Sequence, residues 1–144
     1  MKNTPVEINE AEVPILIRRY GLAQDSGGAG LHRGGLATEL EFEVFSPNTR
    51  VTARNRDRSR FTAWGIRGGK AGPTSGFVLN RGRTDEVNLG NTDILTVGPG
   101  DTIYVTSGGA GGWGNPLERP AEKVHADVRR GFVSVEAAKA LYGV

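Results

Sequence analysis

The chain has 144 residues, of which 22 are glycine and none is cysteine, and its formal charge at pH 7 is +2. That length buries roughly two-thirds of the unfolded surface around one ordinary core, and glycine at about twice its usual ~7% share speaks for a turn-rich globular domain. Without cysteine there is no disulfide framework, thiolate zinc site or cysteine nucleophile, and no apolar run approaches the ~20 residues of a membrane span, so a soluble, cytoplasmic protein is expected.

From Val6 to Leu22, period-2 alternation shows at Val6/Ile8 and at Ile15/Ile17, which predicts two extended pieces divided by Pro14. A glycine loop follows over residues 25–35, and Leu36 to Phe45 alternates in the manner of a half-buried strand. Ser46-Pro47-Asn48 reads as a turn, because proline presets φ and asparagine tolerates a positive one. Val51 to Phe61 reads as a further strand, closed by a second glycine loop that runs to Pro73. Short strands are then expected at Gly76 to Asn80, Glu86 to Leu89, Ile94 to Val97 and Thr102 to Thr106, separated by turn residues such as Gly98-Pro99-Gly100-Asp101.

A third glycine loop spans Gly108 to Gly114, after which the pattern changes. Val124 and Val128 lie four apart, acid comes early, Arg129 and Arg130 come late, and Gly131 stands as a stop, so residues 121–130 predict a short amphipathic helix. Ser134 is placed as the N-cap of a second helix that ends at Gly143. The expected architecture is a single domain over 1–144: mainly antiparallel β, sandwich- or barrel-like, through 1–115, with two short helices in a tail over 116–144.

Charge is unevenly placed. Residues 50–70 hold Arg50, Arg54, Arg56, Arg58, Arg60, Arg67 and Lys70 against the single acid Asp57. If the stretch is extended, Arg54, Arg56, Arg58 and Arg60 leave one strand face, either as a solvated surface or as a contact for an anionic ligand or an acidic partner. Asn55, Asp57 and Ser59 between them are not the aromatics that a nucleic-acid stacking platform needs, which argues against RNA as the ligand.

Motifs that carry chemistry elsewhere fail here on context. Gly109-Ala-Gly111-Gly-Trp-Gly114 matches G-x-G-x-x-G, yet Asn115-Pro116 follow it in place of a crossover helix. The loop around Gly65 to Ala71 has Trp64 and Ala71 where a phosphate loop needs glycine and a hydroxyl. His32 and His125 have no second ligand at metal spacing, and Asp25-Ser26 with His32 lacks a nucleophile-elbow pattern, so no catalytic and no metal-binding residue is assigned. Trp64 and Trp113 lie beside glycines, where a ring either caps its loop or lines a contact surface. Three glycine-dense loops on one domain are more readily explained by burial in an interface than by burial within an isolated domain. The loop and interface candidates are therefore Ser26, Gly27, Gly28, Gly34, Gly35, Trp64, Gly68, Gly69, Gly108, Gly109, Gly111, Gly112, Trp113 and Gly114. Arg33 and Asp25 join the four arginines as anion or partner contacts.

Several segments together resemble the C-terminal portion of the hydantoinase B/oxoprolinase family. These are Asn3-Thr-Pro-Val-Glu-Ile, Asp25-Ser-Gly-Gly-Ala-Gly with Arg33-Gly-Gly, and Asp57-Arg58-x-Arg60-Phe61 running into Trp64-Gly65 and Gly68-Gly69. Thr106 to Gly114 continuing into Asn115-Pro-Leu-Glu-Arg119 agrees, as does the ending from Val124-x-x-Asp127-Val128 through Val133-Ser134-x-Glu136-Ala137-Ala138 to Tyr142-Gly143-Val144. Thr62-Ala63 stand where the family usually has Pro-Pro, Trp113 where tyrosine is common, and Asn115 where an aspartate is usual, which removes a carboxylate there.

Family members are usually several times longer, and this chain opens with Met directly before the matching residues. The resemblance therefore implies a small subunit that completes the hydantoinase B-like part of a complex. Its large partners would be hydantoinase B-like and hydantoinase A-like subunits, the latter using ATP to phosphorylate a carbonyl or enolate oxygen ahead of hydrolysis or carboxylation. ATP and a divalent metal are then expected on those partners, with no cofactor bound by this chain. Divided subunits suggest the ATP-dependent ketone carboxylases of the acetophenone and acetone carboxylase type. A stand-alone binding module for carbohydrate or peptide is the alternative, with RNA binding through Arg54, Arg56, Arg58 and Arg60 behind it.

Overall fold

The computed structural model describes residues 4–53 and 58–144. It is mainly antiparallel β, with α1 (Val6–Glu12), β1 (Ile15–Leu22), β2 (Thr38–Val44), β3 (Thr49–Thr52), β4 (Gly76–Leu79), β5 (Val87–Asn88), β6 (Ile94–Val97), β7 (Thr102–Thr106), α2 (Ala121–Arg129) and α3 (Val135–Ala137). The described residues group into two compact units, one built from 4–21, 39–53 and 76–105, the other from 22–38, 58–75 and 106–144.

The first unit carries most of the sheet. Five strands run in the order β1-β2-β7-β4-β5, and β3 pairs with β6 antiparallel, Thr49 opposite Val97 and Thr52 opposite Ile94. No closed barrel forms among the described residues. Alternation buries Val44, Phe77, Val97 and Ile103 in one cluster, with Ile15, Phe42, Val51 and Leu95 packed around it. The strands over 38–44, 76–79, 94–97 and 102–106 agree with the period-2 reading, and so do their turns: Asn48 has φ 53 and Gly100 φ 88. Directly after β4, the buried Asn80 accepts from the Thr102 amide at 2.9 Å and donates to Asp85 and to Asp101, which lies in the turn before β7.

Two strand expectations are corrected. Residues 6–12 form helix α1 rather than an extended piece. Pro5 leads into it with a φ of −55, Glu7 lies in its first turn, and Val13, held extended by the following Pro14, ends it. The Val6/Ile8 alternation is too short to outweigh these signals, and Glu10 then accepts the Ile17 amide at 2.7 Å, tying the helix to β1. The strand expected from Val51 to Phe61 stops at Thr52, with one more ladder bond from the Ala53 amide to Asp93. Beyond it, Arg58 has φ 60 and Ser59-Arg60-Phe61 bend, so these residues are not extended.

The second unit contains the three glycine loops and the C-terminal helices. Ala29, Val124, Val133, Ala138 and Tyr142 form its core. Helix α2 ends at Gly131, whose φ is 71, and Ser134 caps α3 by accepting the Ala137 amide at 3.0 Å, both as the sequence predicts. A π-helical turn over Ala138–Tyr142 continues α3, and Gly143 closes it in the left-handed region.

Candidate functional site

The glycine loops of the second unit lie on one another, backbone against backbone. Gly28 donates to Ala110 O at 2.8 Å, Lys70 to Ala29 O at 2.7 Å, and Gly112 to Lys70 O at 2.9 Å, so each loop is bonded to both of the others. Ala110 to Gly35 O and Ile66 to Gly112 O extend the same lattice. Gly112 shows why side chains are excluded: a Cβ there would stand 2.2 Å from Ala29 O and 2.6 Å from Gly28 O, and neither atom can rotate aside. The stack is held by main-chain hydrogen bonds in an interior with few side chains, which requires nearly every N–H and C=O to find a partner.

Most of the predicted loop residues fall in this lattice. Gly27, Gly28, Gly34, Gly69, Gly109, Gly111 and Gly112 each face main-chain atoms of the loops at distances no Cβ could share. Gly35 and Gly108 sit at its margins, and Gly68 and Gly114 take positive φ. Ser26 is buried, donating to Ala23 O at 2.6 Å and accepting the Ala37 amide at 2.8 Å. The close approach that glycine permits is thus made within the chain, loop upon loop.

One flank of the stack carries large apolar side chains in solvent. Trp64 is 78% exposed, Ile66 55% and Trp113 41%. Ile66 and Trp113 are bridged as neighbouring strands, and Gly111 lies against the Trp64 carbonyl. The main-chain N–H groups of His32 and Trp113 each donate to the other's carbonyl at 2.9 Å, with their rings 5.4 Å apart, and the Arg67 guanidinium lies 5.8 Å from the Trp113 ring. Arg58, Arg60, Arg67 and Lys70 surround this flank in sequence, all exposed.

A buried ion cluster anchors the stack to α2. The Asp127 carboxylate accepts from Arg33 Nε at 3.0 Å and from Arg119 Nη2 at 2.8 Å. Arg119 also reaches Leu31 O at 3.0 Å, and Arg33 reaches Gly34 O at 2.8 Å while lying 5.5 Å from the Phe132 ring. Burial opposes ionisation of Asp127, but the hydrogen bond and charge of Arg33, joined by Arg119, hold its carboxyl below the ordinary value. Asp127 and Arg119 stand in segments that resemble the family but are not among the site residues read from the sequence. A signal for Asp127 is nonetheless present, since it shares the buried face of α2 with Val124 and Val128 at helical spacing.

Of the anion and partner candidates, Arg54 and Arg56 lie outside the described residues, Arg58 and Arg60 are exposed, and Arg33 is turned inward to Asp127. Asp25, at φ 59, accepts the Ser134 amide at 2.8 Å and so joins the first glycine loop to the start of α3. Asn115 caps the turn over Pro116–Glu118 by accepting the Leu117 amide at 3.1 Å. Among the described residues no three His, Asp or Glu side chains gather as a cation site, and no helix is long and apolar enough to cross a membrane. The arrangement is a rigid scaffold that displays indole rings and cations.

Comparison with known proteins agrees with this geometry. The family described as hydantoinase B/oxoprolinase matches residues 1–116. The β subunit of caprolactamase from Pseudomonas jessenii is 41% identical by sequence alignment, over 96% of this chain and 24% of its own. The B component assigned to a D-/L-hydantoinase of Pseudomonas sp. strain NS671 is 30% identical over 99% of this chain and 24% of its own. The crystal structure of the ATP-dependent caprolactamase from P. jessenii superposes with a TM-score of 0.81 and 35% identity, over 97% of this chain and 25% of that one. Nucleotide-free acetone carboxylase shares the fold, with a TM-score of 0.72 at 21% identity over 98% and 23% of the two chains. The chain thus spans about a quarter of the length of these relatives.

Proposed function

Because the chain belongs to the hydantoinase B/oxoprolinase family, we propose that it is a small subunit of a multi-subunit ATP-dependent carboxylase or amide-ring hydrolase, in which it completes the hydantoinase B-like part. One observation carries this reading: nearly the whole chain aligns with about a quarter of caprolactamase β, so its fold corresponds to one portion of a larger body. The portion at hand has the character of a scaffold. Its conspicuous loops are consumed in main-chain bonds to one another, and its buried charges are consumed in holding those loops to α2.

Chemistry in such a complex falls to the partners. A large hydantoinase B-like subunit supplies the remainder of that body, and a hydantoinase A-like subunit handles ATP and a divalent metal. We expect the assembly to reside in the cytoplasm, where ATP is at hand for it.

Co-expression with the hydantoinase A-like and B-like polypeptides of the same genome, followed by native mass spectrometry, tests the proposal. Stoichiometric incorporation of the 15.3 kDa chain is the expected result. A stable lone monomer that never enters a complex would overturn it, and glycan or peptide binding by that monomer would point to a stand-alone module instead.

A further inference from the structure

We infer that the apolar flank formed by Trp64, Ile66 and Trp113 is the seat on which the remaining part of the hydantoinase B-like body docks, and that the partner's matching surface is apolar with an acidic rim. This rests on the functional reading above and adds the face and its chemistry.

Three observations converge on it. The first is exposure without freedom. Trp64 and Ile66 leave 78% and 55% of their surface in water, yet the backbone beneath them is fixed by bonds such as Ile66 N to Gly112 O at 2.9 Å and Gly72 N to Ala63 O at 3.0 Å. A rigid main chain that holds indole and aliphatic groups outward is preorganised for a contact, because little conformational entropy remains to be lost there on association. Large exposed apolar groups gathered in this way mark association surfaces, whereas scattered ones need no explanation.

The second is the occupant. Caprolactamase β carries this segment within a chain of which it forms 24%, and the caprolactamase structure within a chain of which it forms 25%. Three-quarters of the related body is therefore available to cover the flank. The third is charge. Arg58, Arg60, Arg67 and Lys70 lie on the same loop as Trp64 and Ile66, and no acidic residue occurs from position 58 to 84. None of the four forms an ion pair among the described residues. A partner rim bearing Asp and Glu would neutralise them and speed encounter, while a basic one would be repelled.

The test uses the full chain and the hydantoinase B-like polypeptide encoded in the same genome, with affinity measured at low and high salt. Three chains are compared: the natural sequence, the double variant Trp64→Ser/Ile66→Ser, and Ile94→Ser, which removes an exposed isoleucine from the other unit. Thermal melts confirm that all three fold. The natural chain and Ile94→Ser should bind alike, the double variant about 100-fold more weakly or worse, and salt should weaken the natural complex. Equal binding by the double variant and the natural chain would overturn the docking face while leaving the functional reading intact. Failure of the natural chain to bind at all would overturn that reading, and this inference with it. A homodimer of the natural chain that the double variant abolishes would assign the flank to a second copy instead.

Discussion

Arg119 and Arg33 approach a single carboxylate, Asp127, so two buried guanidinium groups share one counter-charge, and the buried Arg119 Nε has no hydrogen-bond partner among the described residues. The side chains involved are only 7–15% exposed. Removing one member of a buried pair leaves uncompensated charge, which typically costs about 3–5 kcal/mol. Asp127→Ala should therefore lower unfolding stability by about that amount in urea titration. Arg18→Ala should cost under ~1 kcal/mol, because Arg18 pairs with Glu43 half in solvent. Similar losses from the two variants would show that the cluster does not anchor the stack.

Acid should loosen the same cluster. The Asp127 carboxyl lies below its ordinary value, and so does that of Asp101, chiefly through hydrogen bonds from the Gly98 amide and Asn80. A carboxyl whose folded-state pKa is depressed contributes its full stabilisation above the unfolded value of ~3.9, and that contribution is lost as pH falls through the folded value. Urea midpoints should accordingly hold from about pH 6 down to roughly pH 4 and drop below it. The Asp127→Asn chain, weaker throughout, should show a shallower drop. Parallel acid limbs in the two chains would exclude Asp127 as a contributor.

The loop stack makes glycine positions unequal. A Cβ on Gly112 would meet fixed carbonyl atoms at 2.2 Å, whereas one on Gly21, in β1, would meet nothing within 4 Å. Gly112→Ala should cost at least the ~1–3 kcal/mol of ordinary overpacking, since main chain must shift to admit it. Gly21→Ala should stabilise by about 0.5–1 kcal/mol through the reduced entropy of the unfolded chain. Urea titration of both variants decides the matter, and tolerance of alanine at Gly112 would mean that the loops are not packed as described.

This contrast also marks how far the sequence can be read. Strands such as Thr38–Val44 and Thr102–Thr106 are legible because apolar residues recur at every second position, Phe42 and Val44 in one and Ile103 and Val105 in the other, and all four meet in one core cluster, while Ser134 and Gly131 announce helix ends through their own chemistry. Helix α1 is hidden because it is seven residues long with no fully buried residue, so it has no apolar stripe to display. The stack is hidden for a deeper reason. Its bonds join main-chain amides to main-chain carbonyls, whatever side chains the residues carry, and such contacts leave no periodic trace, only an excess of glycine that an intermolecular interface would explain equally well. Asp127 stands in view on the α2 face, but its two arginines come from positions 33 and 119, and only the fold brings them together.

Asp25 offers a test in which backbone conformation and hydrogen bonding are separable. Its φ of 59 favours asparagine, aspartate or glycine, and its Oδ1 accepts the Ser134 amide at 2.8 Å. Asp25→Asn retains both features and should stay within ~0.5 kcal/mol of the natural chain. Asp25→Gly keeps the conformation but loses the acceptor, at a cost of about 1 kcal/mol. Asp25→Ala loses the acceptor and adds left-handed strain, so about 2–3 kcal/mol is expected. Thermal or urea unfolding should rank the three Asn, Gly, Ala from most to least stable. If all three fold alike yet weaken incorporation into the complex, Asp25 acts on a partner and not on the join between the first glycine loop and α3.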